Sequence, residues 1–373
     1  MSERHITYDK IYDTVDRDDF DALIEVERYA DRTSAFDEII SATNDHFWDP
    51  TDARYVDYAS SPMDLREQTV MPRTFCIELK TAVADRLDEG QRTRLANQST
   101  RFILSSILHG EQGALSLSAS LTQILRDPGA MEYAANQARE EARHVTGFSK
   151  YIAMRWGTPL RSGSTIRNLM NEIVKSGVVY KKLVGMQMLI EGLAMGAFAT
   201  IQRETNDPLL RRLIQFTMSD EAFHHKFGKI WADRTIPKLS EEEHEHVEQW
   251  AAQAFQVLLF NLVNAEQKQE IYREFGLDWQ WVRGAILESF TDEDRRRDMT
   301  QNTNIFRVLI KTLLKAGIIT DRTRAVYQAW VDMDELAREH DEVAGTEIAA
   351  RAIEELRGIN RDRQRMGSHF RPH

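Results

Sequence analysis

One cysteine, eight prolines and eighteen glycines among 373 residues leave this chain few ways to be stapled or broken. A single cysteine, Cys76, excludes an internal disulfide framework and fits a reducing compartment. Positive charge is outnumbered, 48 Lys and Arg against 59 Asp and Glu. The net charge of −11 disfavours nucleic acid as a partner. No run reaches 18 uninterrupted apolar residues. The longest candidate, "GMQMLIEGLAMGAFATI", carries Glu191 at its centre and reads as a buried helix, not a membrane span. The opening "MSERHITYDK" has no apolar stretch of the secretory kind. These absences point to a cytoplasmic globular protein that does not enter a membrane.

What is present is long helical periodicity, so the expected fold is all-α. "SAFDEIISATNDHFW" is amphipathic and reads as a helix, and another is expected from about Arg73 to Leu87. Four long segments follow. The first, "QRTRLANQSTRFILSSILHGEQGALSLSASLTQILR", stops at Asp127-Pro128-Gly129. The second, "AMEYAANQAREEARHVTGFSKYIAMRW", stops near Gly157. The third, "GVVYKKLVGMQMLIEGLAMGAFATIQRET", stops at Asn206-Asp207-Pro208, and the fourth, "LLRRLIQFTMSDEAFHHKFGKIWADRT", before Pro237. The short turns predict antiparallel neighbours. Residues 1–90 are then an N-terminal extension, 91–237 a four-helix bundle, and 238–373 further helices of the same domain with a loose tail from about 360. Ser240 and Glu243 form a candidate capping box. "SEEEHEHVEQW" looks like a metal cluster but reads better as a solvated acidic helix start.

The chemistry lies in a repetition. "EEARH" at 140–144 and "DEAFH" at 220–224 each hold Glu-x-x-His, Glu141 with His144 and Glu221 with His224. At i and i+3 on a helix, both side chains share a face. Thirty positions upstream of each motif glutamate stands another, Glu111 and Glu191, amid small and apolar residues. From Glu111 to Asp127 is 16 residues, and from Pro128 to Glu141 is 13. At the rise of an α-helix the arms are about 24 and about 20 Å, so the chain returns to the height it left. The second hairpin repeats these numbers with a shift of 80. Packed face to face, the hairpins bring four carboxylates and two imidazoles together in mid-bundle.

Four buried carboxylates repel one another and lose their hydration, and two cations offset that. Two glutamates plus two Glu-x-x-His motifs form the ligand set of carboxylate-bridged di-iron bundles. Hard oxygen donors with one imidazole per ion suit Fe or Mn better than Zn. Glu140 and Asp220 precede the motif glutamates. Each is expected to fix a ligand histidine across the bundle, Glu140 with His224 and Asp220 with His144. Arg143 is placed to neutralise one of these acids. His109 and His225 point elsewhere on their helices and read as structural or solvent-facing. Leu108, Leu115, Phe148, Met188, Met195, Phe198 and Thr217 lie near the ligands in sequence, as substrate-pocket lining or as ordinary core.

With these ligands in hand, the chain resembles the ferritin-like di-iron carboxylate superfamily over roughly residues 100–235. "EEARH" and "DEAFH" are similar to the motifs of acyl-carrier-protein desaturases and bacterial multicomponent monooxygenases, and "GEQGA" to the first ligand segment of the latter. "DHFWDPTD" resembles the F-W-x-P segment of ribonucleotide reductase small subunits and their oxidase relatives. That resemblance implies an electron route through Trp48 and Asp220. The chain also departs from these families. Phe148 stands where the reductases carry their radical tyrosine, although one reductase subclass with a mixed Mn/Fe centre shares the phenylalanine. Tyr151, two turns on, reads as a packed tyrosine, with redox activity as the alternative. Aryl-amine N-oxygenases carry an extra histidine ligand where this chain has Thr217.

The resemblance implies a ferritin-like core holding two Fe ions, or Mn and Fe, with O2 as co-substrate. The implied activity is a monooxygenase-type oxidation of a small organic substrate by hydroxylation, N-oxygenation or desaturation. It further implies a ferredoxin or flavin reductase as electron donor, and a homodimer. A reductase-type radical generator or oxidase, and a ferroxidase or iron-storage protein, are the alternatives.

Overall fold

The computed structural model describes residues 8–262, 264–301, 304–339 and 345–366. Helix accounts for 72% of the residues and no sheet is formed among the described ones, so the chain is all-α as expected. The first helix that matters to the site is α1 (Asp37–Asp45), entered through a 3-10 turn at Ser34–Phe36 that Thr33 caps. It buries Ile39 and Thr43 and ends just before His46.

The four long helices follow. Asp88 and Gln91 form a reciprocal capping box that opens α2 (Glu89–Leu121). The next helix, α3 (Pro128–Trp156), starts with Asp127 accepting the Gly129 N–H at 2.8 Å and Pro128 in the first turn. It stops at Gly157, whose φ of 82° is the left-handed conformation that favours glycine. Residues Val179–Glu204 form α4. Its companion α5 (Pro208–Thr235) repeats the Asp-Pro start, with Asp207 accepting the Leu209 N–H at 2.9 Å. Two identical local devices thus open the second arm of each hairpin, and they explain why both boundaries were readable.

By length and composition α4 is able to cross a membrane, yet 83% of its most apolar window is buried inside the protein. It is not regular throughout. Val184–Ile190 is a π-helical stretch, directly before Glu191. Gly228 of α5 lies against it: a Cβ there would sit 2.6 Å from Gln187 Cβ.

Three of the later helices close over the bundle: α6 (Glu241–Asn261), α7 (Ile305–Lys315) and α8 (Thr346–Met366). Residues of α6 and α7, such as Phe255 and Leu309, share one buried apolar cluster with Leu117, Tyr133 and Phe227. Ala352 and Leu356 of α8 share another with Trp48, Leu108, Phe148 and Phe198. Both flanking segments therefore pack into the bundle's own core.

Three expectations change. Residues 73–87 are not one helix but three 3-10 turns, Arg73–Phe75, Ile77–Lys80 and Ala84–Arg86. Glu78 is the reason: fully buried, it accepts from Tyr272 Oη at 2.5 Å and pairs with Lys268, and this tertiary anchor overrides helical propensity. Only half of the capping box at α6 forms. Ser240 accepts the Glu243 N–H at 3.2 Å, but the Glu243 carboxylate takes the Tyr12 hydroxyl. Helix α8 runs through the start of the expected loose tail to Met366, and residues 367–373 lie outside the described part.

Candidate metal centre

Glu111 projects from α2, Glu141 and His144 from α3, Glu191 from α4, and Glu221 and His224 from α5. All six are buried, and they converge on one point between the two apolar clusters. His144 Nδ1 lies 3.2 Å from Glu111 Oε2, 3.3 Å from Glu141 Oε2 and 3.2 Å from Glu221 Oε1. His224 Nδ1 lies 3.1 Å from Glu141 Oε1, 3.2 Å from Glu221 Oε2 and 3.9 Å from Glu191 Oε2. Glu141 and Glu221 therefore each turn one oxygen to each imidazole, while Glu111 and Glu191 serve one side only.

This arrangement fits a pair of metal ions. Donors held ~2.1 Å from one first-row ion and at right angles are separated by about 3 Å, the spacing found here. Glu141 Oε2 is buried with no hydrogen-bond partner among the described residues, a costly state for a carboxylate oxygen unless something binds it. One position would take Glu111, Glu141, Glu221 and His144, the other Glu141, Glu191, Glu221 and His224. Glu141 and Glu221 are the shared pair.

With protein groups alone, protons take up part of the charge. Burial, then the neighbouring Glu221 and Glu141 charges, hold Glu111 and Glu191 well above the ordinary carboxylate range. Burial pushes Glu221 the same way, but the His224 charge and hydrogen bonds from both histidines bring it down to about 2. Burial works against a charge on either histidine. The surrounding carboxylates outweigh it, raising both rings well above their ordinary value.

The expected cross-bundle pairs are present. His144 Nε2 lies 2.8 Å from Asp220 Oδ2, and His224 Nε2 lies 3.0 Å from Glu140 Oε2. An ionised carboxylate only accepts, so each ring donates its Nε2–H outward and turns Nδ1 to the centre. Arg143 bonds Asp220, from Nε to Oδ2 at 2.9 Å and again through Nη2, and its Nη2 reaches Glu140 Oε1 at 3.4 Å. Trp48 donates Nε1–H to Asp220 Oδ2 at 2.8 Å, and its ring lies 6.0 Å from that of His144 at a tilt of 20°.

His109 is tied to Leu160 O at 2.8 Å, and half-buried His225 takes no part in the donor cluster. Tyr151 gives its hydroxyl to Asp207 at 2.6 Å, where it braces the α5 cap. Of the pocket candidates, Leu108, Phe148, Met195 and Phe198 lie together in the cluster on one side of the ligands. Met188 lies in the cluster on the other side, and Leu115 is half-buried outside both. The Thr217 hydroxyl bonds back to Leu213 O at 3.1 Å.

Three site residues escaped the sequence reading. Gln137 donates to Glu141 Oε1 at 3.2 Å and to Glu191 Oε1 at 3.0 Å, steadying a ligand from each hairpin. Gln187 donates to Gln137 Oε1 at 3.0 Å. Each stands four residues before a ligand glutamate, so a helical one-turn rule would have found them. The third, His46, sits between Glu140 and Asp220, and its only signal was its place two residues before Trp48. His46, Glu140 and Asp220 also have donor spacing, but the Arg143 guanidinium already holds the cation place there.

No protein-family model matches the chain, and no curated protein matches it significantly.

Proposed function

We propose that this protein is an O2-dependent di-metal oxidoreductase of the monooxygenase type, with Fe in both positions or Mn in one. It oxidises a small organic substrate by hydroxylation, N-oxygenation or desaturation. The reading includes membership of the ferritin-like carboxylate superfamily, a ferredoxin or flavin reductase as electron donor, a cytoplasmic setting and a homodimer. The observation that carries it is the shared pair: Glu141 and Glu221 each offer one oxygen to each side, with His144 and His224 behind them.

Redox-active ions held there would supply electrons and open coordination positions for dioxygen. The chain's own groups do the rest. Asp220 and Glu140 hold the two imidazoles in one tautomer and orientation. Gln137 keeps Glu141 and Glu191 from swinging apart. Leu108, Phe148, Met195 and Phe198 exclude water on one side and offer an apolar wall to a substrate.

The test is anaerobic Fe(II) loading of the full chain, metal analysis, then mixing with O2 in the presence of candidate substrates. The expected result is two ions per chain and O2 uptake coupled to an oxygenated or desaturated product. Glu141→Ala and Glu221→Ala are expected to lose both ions, and Glu111→Ala and Glu191→Ala one each. A single ion, a preference for zinc, or no reaction with O2 would overturn the proposal.

A second reading, a radical generator or oxidase of the reductase type, has one observation in its favour: the continuous contact from Trp48 through Asp220 to His144, 2.8 Å at both steps. Phe148 in place of a tyrosine weighs against it. A stable organic radical signal by EPR after O2 exposure, without substrate turnover, would favour this reading over the first.

A further inference from the structure

His46 has no part in the ligand set, yet it is placed to act on both halves of it. It follows the last residue of α1 and is fully buried, stacked flat on Phe223 with ring centroids 4.7 Å apart and planes at 7°. Its Nε2 lies 3.3 Å from Asp220 Oδ1 and 3.6 Å from Glu140 Oε1, ion-pair separations that do not meet hydrogen-bond geometry as they stand. Those are the oxygens that the ligand histidines do not use. His144 faces Asp220 Oδ2, and His224 faces Glu140 Oε2. One imidazole therefore stands behind both carboxylates that aim both metal-facing rings.

Charge points the same way. Glu140 and Asp220 bring two negative charges into a buried layer, and the Arg143 guanidinium is bonded to both. His46 is a further basic group facing both carboxylates; burial opposes its protonation, but the two carboxylates prevail and raise the ring to about 9. The loop itself is held. Asn360 of α8 donates to Phe47 O at 2.8 Å, between His46 and Trp48, and Tyr55 bonds Asn360 Oδ1 at 2.6 Å.

The geometry points to His46 as a positioning residue that bridges Asp220 and Glu140 and so couples the orientation of His144 to that of His224. This rests on the di-metal reading above. It distinguishes His46 from any ligand: removing Glu111 or Glu191 should empty one position, whereas removing the His46 bridge should weaken both together, although its ring touches neither ion position.

The experiment is a Co(II) titration of the full chain, read by visible absorption, which reports the ligand field of each ion. The variants are His46→Gln, which keeps an N–H donor, and His46→Phe, which keeps the flat ring stacked on Phe223 but donates nothing. The chain with His46 intact is expected to take two ions. His46→Phe should weaken both positions about tenfold or more and alter both spectra, whereas His46→Gln should stay within about threefold. Equal binding by His46→Phe and the intact chain would overturn the bridge, as would weakening of one position alone. Retention by His46→Phe with loss in His46→Gln would show that the ring only packs. Should His46→Phe fail to fold, the glutamine variant decides alone, since loss of both positions in it overturns a role based on donation. If the chain with His46 intact takes no Co(II), the di-metal reading itself fails, and that result is distinct from every other.

Discussion

The ligands form a layer across the bundle, and the two layers that flank it differ in kind. The internal repeat, with its shift of 80, makes the comparison position by position. On the side of the Asp127 turn stand Ser118, Tyr133, Gln137, Gln187 and Gly228. On the side of the Asp207 turn their counterparts are Phe198, Leu213, Thr217, Ile107 and Phe148. One side is polar: Gln187 and Gln137 pass hydrogen bonds to Glu141 and Glu191, and the Tyr133 and Ser118 hydroxyls are buried without a partner among the described residues. The other is apolar, with Phe148 and Phe198 stacked 5.8 Å apart. The repeated motif sets out its carboxylates and imidazoles symmetrically. The positions around it form two unlike faces, one that hydrogen-bonds those carboxylates and one that is apolar. The π-helical turn of α4 lies on the polar side, where it brings Gln187 against Gly228. Bulges of this kind recur at functional sites because they re-aim a side chain without ending the helix.

The largest expected effect lies in the apolar layer. Phe148→Ala removes a fully buried ring and should cost about 4 kcal/mol in chemical denaturation. Its counterpart change, Gly228→Ala, pushes a methyl against Gln187 and should cost about 2 kcal/mol. Equal losses would mean that the two layers are packed alike.

A control comes from outside both layers. Lys268→Met leaves buried Glu78 without its cation and should cost on the order of 3 kcal/mol at neutral pH. Burial pushes Glu78 up, but Lys268 and Tyr272 bring it from 4.5 down to about 2. A depressed carboxylate stabilises the fold above its unfolded value and loses that contribution as the pH falls through its folded one. The gap between the intact chain and Lys268→Met should therefore hold above about pH 4.5 and close toward pH 2. A gap that does not change with pH would assign the cost to packing.

The two turns that close the layers should also differ. Asp207 caps α5 and accepts from Tyr151 and from Arg155, at 2.8 and 3.0 Å, whereas among the described residues Asp127 accepts only backbone N–H groups, from Gly129 and Thr33. Asp207→Ala should cost about 3 kcal/mol and Asp127→Ala about 1 kcal/mol. The last effect is on metal affinity. Gln137→Leu should weaken Co(II) binding about tenfold, and Thr217→Val at the matched position should leave it unchanged. A reversed order would place the ligand support on the apolar side.

Much of the site was legible because its signals are local. Glu-x-x-His at i and i+3, Asp-Pro at both turns and equal arm lengths place six donors at one height. The outward pairs of Glu140 with His224 and Asp220 with His144 followed from the same repeat. Residues 73–87 were misread because the partners of Glu78 lie some 190 positions away, at Lys268 and Tyr272. His46 was invisible for the same reason, since its partners arrive on α3 and α5.

The sequence by itself determined the four long helices, where they turn and which six side chains meet, because caps and helical period act within a few residues. Only the tertiary structure decided which carboxylates are shared, which oxygen each ring faces, where α4 bulges and how the His46–Trp48 loop closes behind Asp220. Those choices depend on buried charges and hydrogen-bonding groups from distant segments satisfying one another where water cannot, and that matching exists only once the helices are packed.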